Sequence, residues 1–159
     1  MSRPLWLTPP VHDDVVRQIA ALRYPFPDQT DWPLSFRTLT NVDGEVRGVS
    51  ANGSLLYPDI VIVDSDNGSV VEIGEVEVEI DATMVVKWRL YASHSRTHPE
   101  SHAPHFFIYV PEGLETDAIS LLTTYAVPHG GLRTFRLDDD QLRVTPVTTA
   151  VDPKDHRPT

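Results

Sequence analysis

Apolar residues recur at helical spacing from Val11 to Arg23, through Val15, Val16, Ile19, Ala20 and Leu22, with Asp13 and Asp14 favouring the N-terminal end through the helix dipole. Tyr24-Pro25-Phe26-Pro27 stops that helix. Ser35 to Thr40 and Glu45 to Val49 read as short strands around Asn41-Val42-Asp43-Gly44, a hairpin turn signal. Ala51-Asn52-Gly53-Ser54 is a second turn signal. Tyr57 to Asp64 reads as a strand carrying the unbroken β-branched run Ile60 to Val63, the mark of a sheet centre. Ser65-Asp66-Asn67-Gly68 turns the chain, and Ser69 to Glu79 returns as a long strand. So short a loop makes the two strands antiparallel neighbours.

Asp81 to Ser93 has a helical pattern, with Asp81 as N-cap and Met84, Val85, Trp88 and Tyr91 among its apolar positions. A polar loop over 94–104 leads to a strand from His105 to Val110. A helix over Thr116 to Val127, a strand over Leu132 to Leu137 and an edge strand over Gln141 to Val147 complete the pattern. The late strand–helix–strand unit requires parallel pairing through a right-handed crossover. These elements predict an α/β protein: a central mixed β-sheet with helices on both faces, in one domain over 1–150. Residues 1–10 are Pro-rich and read as irregular, and 151–159 as a flexible tail.

The polar positions change this picture. Pro58 enters a strand only at its first residue, so Asp59 stands at the strand mouth. Glu75 and Glu77 share a face of the next strand, with Val76 on the other. Antiparallel pairing brings Asp59 towards both. Carboxylates crowded beside a buried sheet are costly unless paired or bound to a cation. A hard divalent ion, Mg²⁺ or Mn²⁺, is the simplest compensation. A register slip of a few residues makes Glu72 and Glu79 the relevant partners instead, and Glu-x-Glu-x-Glu is more often the exposed face of an edge strand.

His94, His98, His102 and His105 form a second cluster. Pro99 and Pro104 interrupt any helix that would align them as metal ligands, so a polar surface loop is the simpler reading. His12, beside Asp13 and Asp14, is a candidate to approach the acidic cluster, although a histidine at a helix start is ordinarily solvated. Trp88 reads as core on the inward face of its helix, and Trp6 and Trp32 as cover for the core.

With these residues in place, the chain resembles the PD-(D/E)XK nuclease superfamily, the restriction-endonuclease-like fold, over roughly residues 11–137. Pro58-Asp59 looks like the PD element and Glu75-Val76-Glu77 like the D/E-x-K element, with Glu in place of Lys. Lys87-Trp88-Arg89-Leu90-Tyr91 resembles the Gln-x-x-x-Tyr helix of the exonuclease-like branch. Asp13 or Asp14 stands where many members carry a first-helix acid.

The resemblance implies the order αβββαβαβ and Mg²⁺-dependent phosphodiester hydrolysis on nucleic acid, DNA first. Asp59, Glu75 and the Val76 carbonyl would hold the metal. Glu77 would act as base or second-metal ligand, Lys87 as a migrated lysine that stabilises phosphate charge, and Tyr91 as a substrate-positioning or Lys87-supporting residue. It also implies that two copies in a homodimer would cut two strands. The Glu77 departure leaves open an inactive nuclease fold that serves as a binding or assembly module, and the histidine loop leaves a weaker metal-binding alternative.

The 159 residues carry a net charge of −10, against nonspecific adhesion to nucleic acid. The absence of cysteine excludes thiolate metal sites and fits a reducing cytoplasm. No apolar run approaches the ~20 residues of a membrane span, and the N-terminus lacks the apolar core of a signal peptide. A cytoplasmic protein is therefore expected.

Overall fold

The structure is a computed structural model that describes residues 9–23 and 33–150. Residues 1–8 of the expected irregular start, the Tyr24–Pro27 stop, Trp6, Trp32 and the expected tail lie outside the described residues, whereas Pro9 and Pro10, expected to be irregular, open the first helix, where proline is tolerated in the first turn.

The elements are α1 (Pro9–Arg23), β1 (Phe36–Thr40), β2 (Val49–Ala51), β3 (Ser54–Leu56), β4 (Ile60–Asp64), β5 (Ser69–Val76), α2 (Met84–His94), β6 (Phe106–Pro111), α3 (Glu115–Thr124), β7 (Gly131–Asp138) and β8 (Gln141–Thr149). A mixed six-stranded sheet runs β1-β4-β5-β6-β7-β8. The β5–β6 and β6–β7 pairs are parallel, each joined through a helix, and the other pairs are antiparallel.

The sheet separates two cores. On one face Val15, Val16 and Ile19 of α1 meet Val76, Phe107, Tyr109 and Phe135. On the other Val85 and Trp88 of α2 and Leu122 of α3 meet Ile73, Phe106, Ile108 and Leu132. Alternate residues of β6 thus serve opposite cores, as the period-2 pleat requires. No helix among the described residues is long and apolar enough to cross a membrane.

The expected hairpin across Asn41–Gly44 does not form. β1 pairs with β4, and residues 45–48 are not strand. The run Ile60 to Val63 is buried on both faces and needs a ladder on each side; β1 supplies one and β5 the other. The Asn41 side chain becomes a clasp. Its Oδ1 accepts the Val46 and Arg47 N–H groups, both at 2.8 Å, and its Nδ2 donates to the Arg47 and Pro58 carbonyls at 2.8 and 2.5 Å. The Asn41 N–H also donates to the Asp59 carbonyl at 3.2 Å. Asn41→Ala should lower stability by about 2–3 kcal/mol in urea unfolding, since several backbone groups lose their partner together. A change below about 0.5 kcal/mol would show that water replaces the clasp.

The second turn signal does form a hairpin, β2–β3, with Asn52 and Gly53 at φ 48° and 88°. Both central residues of a type I′ turn need positive φ. α2 starts at Met84, later than expected, and Thr83 instead of Asp81 takes the N-cap position. Asp81 folds back in a tight turn, accepting the Thr83 N–H at 2.8 Å and the Thr83 hydroxyl.

Candidate functional site

The site begins where β4 and β5 run together. Register places Ile60 opposite Gly74, so Asp59 comes against Glu75. The Asp59 N–H donates to Glu75 Oε1 at 2.9 Å, and the Val76 N–H donates to Asp59 Oδ2 at 2.9 Å. β5 is an interior strand, and Glu75 and Glu77 are 6% and 5% exposed. Glu75 and Glu77 are therefore not the exposed face of an edge strand, and Glu79, the exposed member, lies beyond the end of β5. Glu72 is buried within the same strand, away from the Asp59 end. Val76 turns into the α1 core, while Glu75 and Glu77 both face α2.

α2 brings the cation. Lys87 Nζ lies 2.9 Å from Glu75 Oε2, 3.0 Å from Glu77 Oε2 and 3.2 Å from Glu77 Oε1. The Trp88 indole Nε1–H donates to Glu77 Oε2 at 2.6 Å. Trp88 is core, as its spacing implies, but its polar edge belongs to the site, and nothing in the helical pattern marks that role. Tyr91, on the same face one turn on, is buried and meets Phe106 edge to face at 6.0 Å.

α1 closes the other side. His12 Nε2 lies 3.3 Å from Asp59 Oδ2 and 3.2 Å from the Val76 carbonyl oxygen, and His12 Nδ1 lies 2.9 Å from Asp13 Oδ1. The solvated helix-start reading of His12 is thus overturned, because packing of α1 on the sheet aims it at the strand mouth. Asp13 reaches the cluster only through His12, and Asp14 turns away to Gln18 at 3.2 Å.

The electrostatics follow from burial. Removal from water, reinforced by the Asp59 charge and opposed by Lys87, holds the Glu75 carboxyl well above the usual carboxylate range. Burial alone would lower the Lys87 ammonium, but Glu75 and Glu77 more than reverse this, so Lys87 stays charged. Burial, with the Glu75 charge, pushes the Tyr91 phenol up. The hydrogen bond to Asp59 outweighs desolvation at His12 and raises it to about 9.

The His12 shift makes stability depend on pH. The contribution is fully present below the ordinary histidine value of 6.5 and is lost as pH rises through about 9. Urea midpoints of wild type should fall between pH 7 and pH 10 by more than those of His12→Gln. Parallel curves for the two proteins would contradict the assignment.

The histidine loop does not assemble into a site. His94 is turned to the Ser50 carbonyl at 2.9 Å, and His98 and His105 approach each other with ring centroids 6.0 Å apart. His98 Nδ1 accepts the Glu100 and Ser101 N–H groups, each at 3.2 Å, which organises the loop.

Among the described residues, no three His, Asp or Glu side chains stand together as a ready ligand set. His12, Asp59 and the Val76 carbonyl share one point, whereas Glu75 is turned to Lys87 and to the Asp59 amide. Comparison of the chain with models of known families, with curated proteins and with solved structures finds no match.

Proposed function

We propose that this protein is a divalent-metal-dependent phosphodiester hydrolase of the PD-(D/E)XK nuclease type, acting on DNA. One observation carries the reading: Lys87, from α2, bonds both Glu75 and Glu77, while Asp59, just before β4, bonds Glu75 and the Val76 backbone. Element order adds support. With the β2–β3 hairpin counted as an insertion and β8 as an added edge, the chain runs αβββαβαβ.

The donor set suits Mg²⁺ or Mn²⁺, which prefer hard oxygen ligands. The fit rests on the convergence of Asp59 Oδ2 and the Val76 carbonyl on a single positive donor, His12 Nε2. Asp59, Glu75 and the Val76 carbonyl would hold the ion. Neutral His12, its Nδ1–H kept on Asp13, would offer Nε2 beside them. Such an ion, when bound, polarises a phosphate oxygen and acidifies water.

The chain supplies the rest. Lys87, 31% exposed at its side chain, lies within reach of a phosphate and stabilises the charge that develops on it. Tyr91 forms the wall behind Lys87, since its burial leaves no surface for substrate. Glu75 must release its proton and its Lys87 contact to serve as a ligand, so metal affinity should rise with pH.

The second reading, an inactive binding module, has its own support. Asp59, Glu75 and Glu77 already have internal cationic partners. A cleavage assay on single- and double-stranded DNA with Mn²⁺ and Mg²⁺ separates the two. The nuclease reading expects metal-dependent cutting that disappears in Glu75→Gln. No cutting by folded wild type on either substrate would favour the module.

A further inference from the structure

Glu77 stands where the resemblance would put a lysine, and its surroundings give it a different task from base or ligand. Its Oε2 accepts Trp88 Nε1 at 2.6 Å and Lys87 Nζ at 3.0 Å, and its Oε1 takes Lys87 Nζ at 3.2 Å. Both oxygens are therefore held on the α2 side. Trp88 is fully buried, so its indole N–H has no water to turn to and keeps the carboxylate in place. Lysine alone is a flexible point charge on a four-carbon stem.

We infer that Trp88 and Glu77 form a clamp that aims the Lys87 ammonium at Glu75, so that both are positioning residues and Lys87 is the group they deliver. The inference rests on the nuclease reading for its purpose but not for its geometry. Position 77 carries an acid because the lysine comes from α2 and needs an anchor on β5's side of the site. Trp88, adjacent to Lys87 on the helix, fixes that anchor from the same element.

The test uses the full chain and the reactivity of its two lysines, Lys87 and Lys154. A water-soluble acylating reagent is applied to wild type, Trp88→Phe, Glu77→Gln and the core control Leu122→Val, and modification of each lysine is followed by mass spectrometry. Lys154 is the internal reference. Trp88→Phe keeps an aromatic ring and deletes only the donor. Lys87 should react about tenfold faster, relative to Lys154, in Trp88→Phe and in Glu77→Gln, the factor for loss of a charge-assisted contact. It should stay at the wild-type rate in Leu122→Val. In wild type, the Trp88 indole N–H resonance, assigned by its loss in Trp88→Phe, should move in Glu77→Gln.

An unchanged Lys87 rate in Glu77→Gln, or an equal rise in Leu122→Val, would overturn the clamp. If Trp88→Phe does not fold, the Lys87 rate in Glu77→Gln against that in Leu122→Val decides alone. Faster labelling in a protein that cuts nothing would keep the clamp and remove the nuclease reading. Metal-dependent cutting with unchanged labelling would do the reverse.

Discussion

Lys87→Met should lower stability by about 3 kcal/mol at pH 7, near the lower end of the range for breaking a buried ion pair. The substitution keeps a long unbranched side chain and removes the cation that Glu75 and Glu77 share. Both carboxylates are almost wholly buried, so water cannot take over, and Lys87 is exposed enough to soften the loss. The deficit should shrink towards pH 5. Glu75 is held above the usual carboxylate range, so its folded form gains stability as pH falls from that raised value towards 4.5. A neutral Glu75 leaves less charge for Lys87 to compensate. Urea unfolding of wild type and Lys87→Met at pH 5 and pH 7 measures both points. Equal deficits at the two pH values would mean that the loss is packing and not charge.

Glu75→Gln should reduce Mn²⁺-dependent cleavage by about a thousandfold or more, the scale of losing a group that organises transition-state charge. The amide keeps the shape and still accepts the Asp59 N–H, so far-ultraviolet circular dichroism should be unchanged. Calorimetric titration with Mn²⁺ should show binding weakened at least tenfold. Folded Glu75→Gln that binds and cuts like wild type would place the chemistry elsewhere. Fold is protected in this variant because a neutral amide costs less to bury beside Asp59 than a second carboxylate does.

Much of this arrangement was legible in short-range pattern. The turn Ser65–Gly68 between two apolar runs dictates antiparallel pairing of β4 and β5, and strand parity separates Glu75 and Glu77 from Val76. The late strand–helix–strand unit pointed to parallel pairing, which β6 and β7 show, and β5 and β6 pair the same way across α2. The failure at Asn41–Gly44 has a physical cause. A turn signal states that the chain reverses there, but not which strand it reverses onto, and the doubly buried run Ile60 to Val63 captured β1.

The partners of the charges were a different matter. His12 and Asp59 are far apart in the chain, and only the seating of Val15, Val16 and Ile19 on the sheet brings the imidazole to the strand mouth. Trp88 carried an apolar signature that hid its donor, because helical periodicity counts the ring and is blind to the one N–H on its edge.

The sequence by itself determined β4, β5 and the turn that pairs them, the later alternation of helices and strands, and the face that Glu75 and Glu77 share, because these follow from residue spacing along a pleated backbone. Only the tertiary structure decided that Lys87 lies between Glu75 and Glu77, that Trp88 holds Glu77 and that His12 meets Asp59. Those contacts depend on how α1 and α2 seat on opposite faces of one sheet, which is set by the summed packing of two cores and by no local pattern.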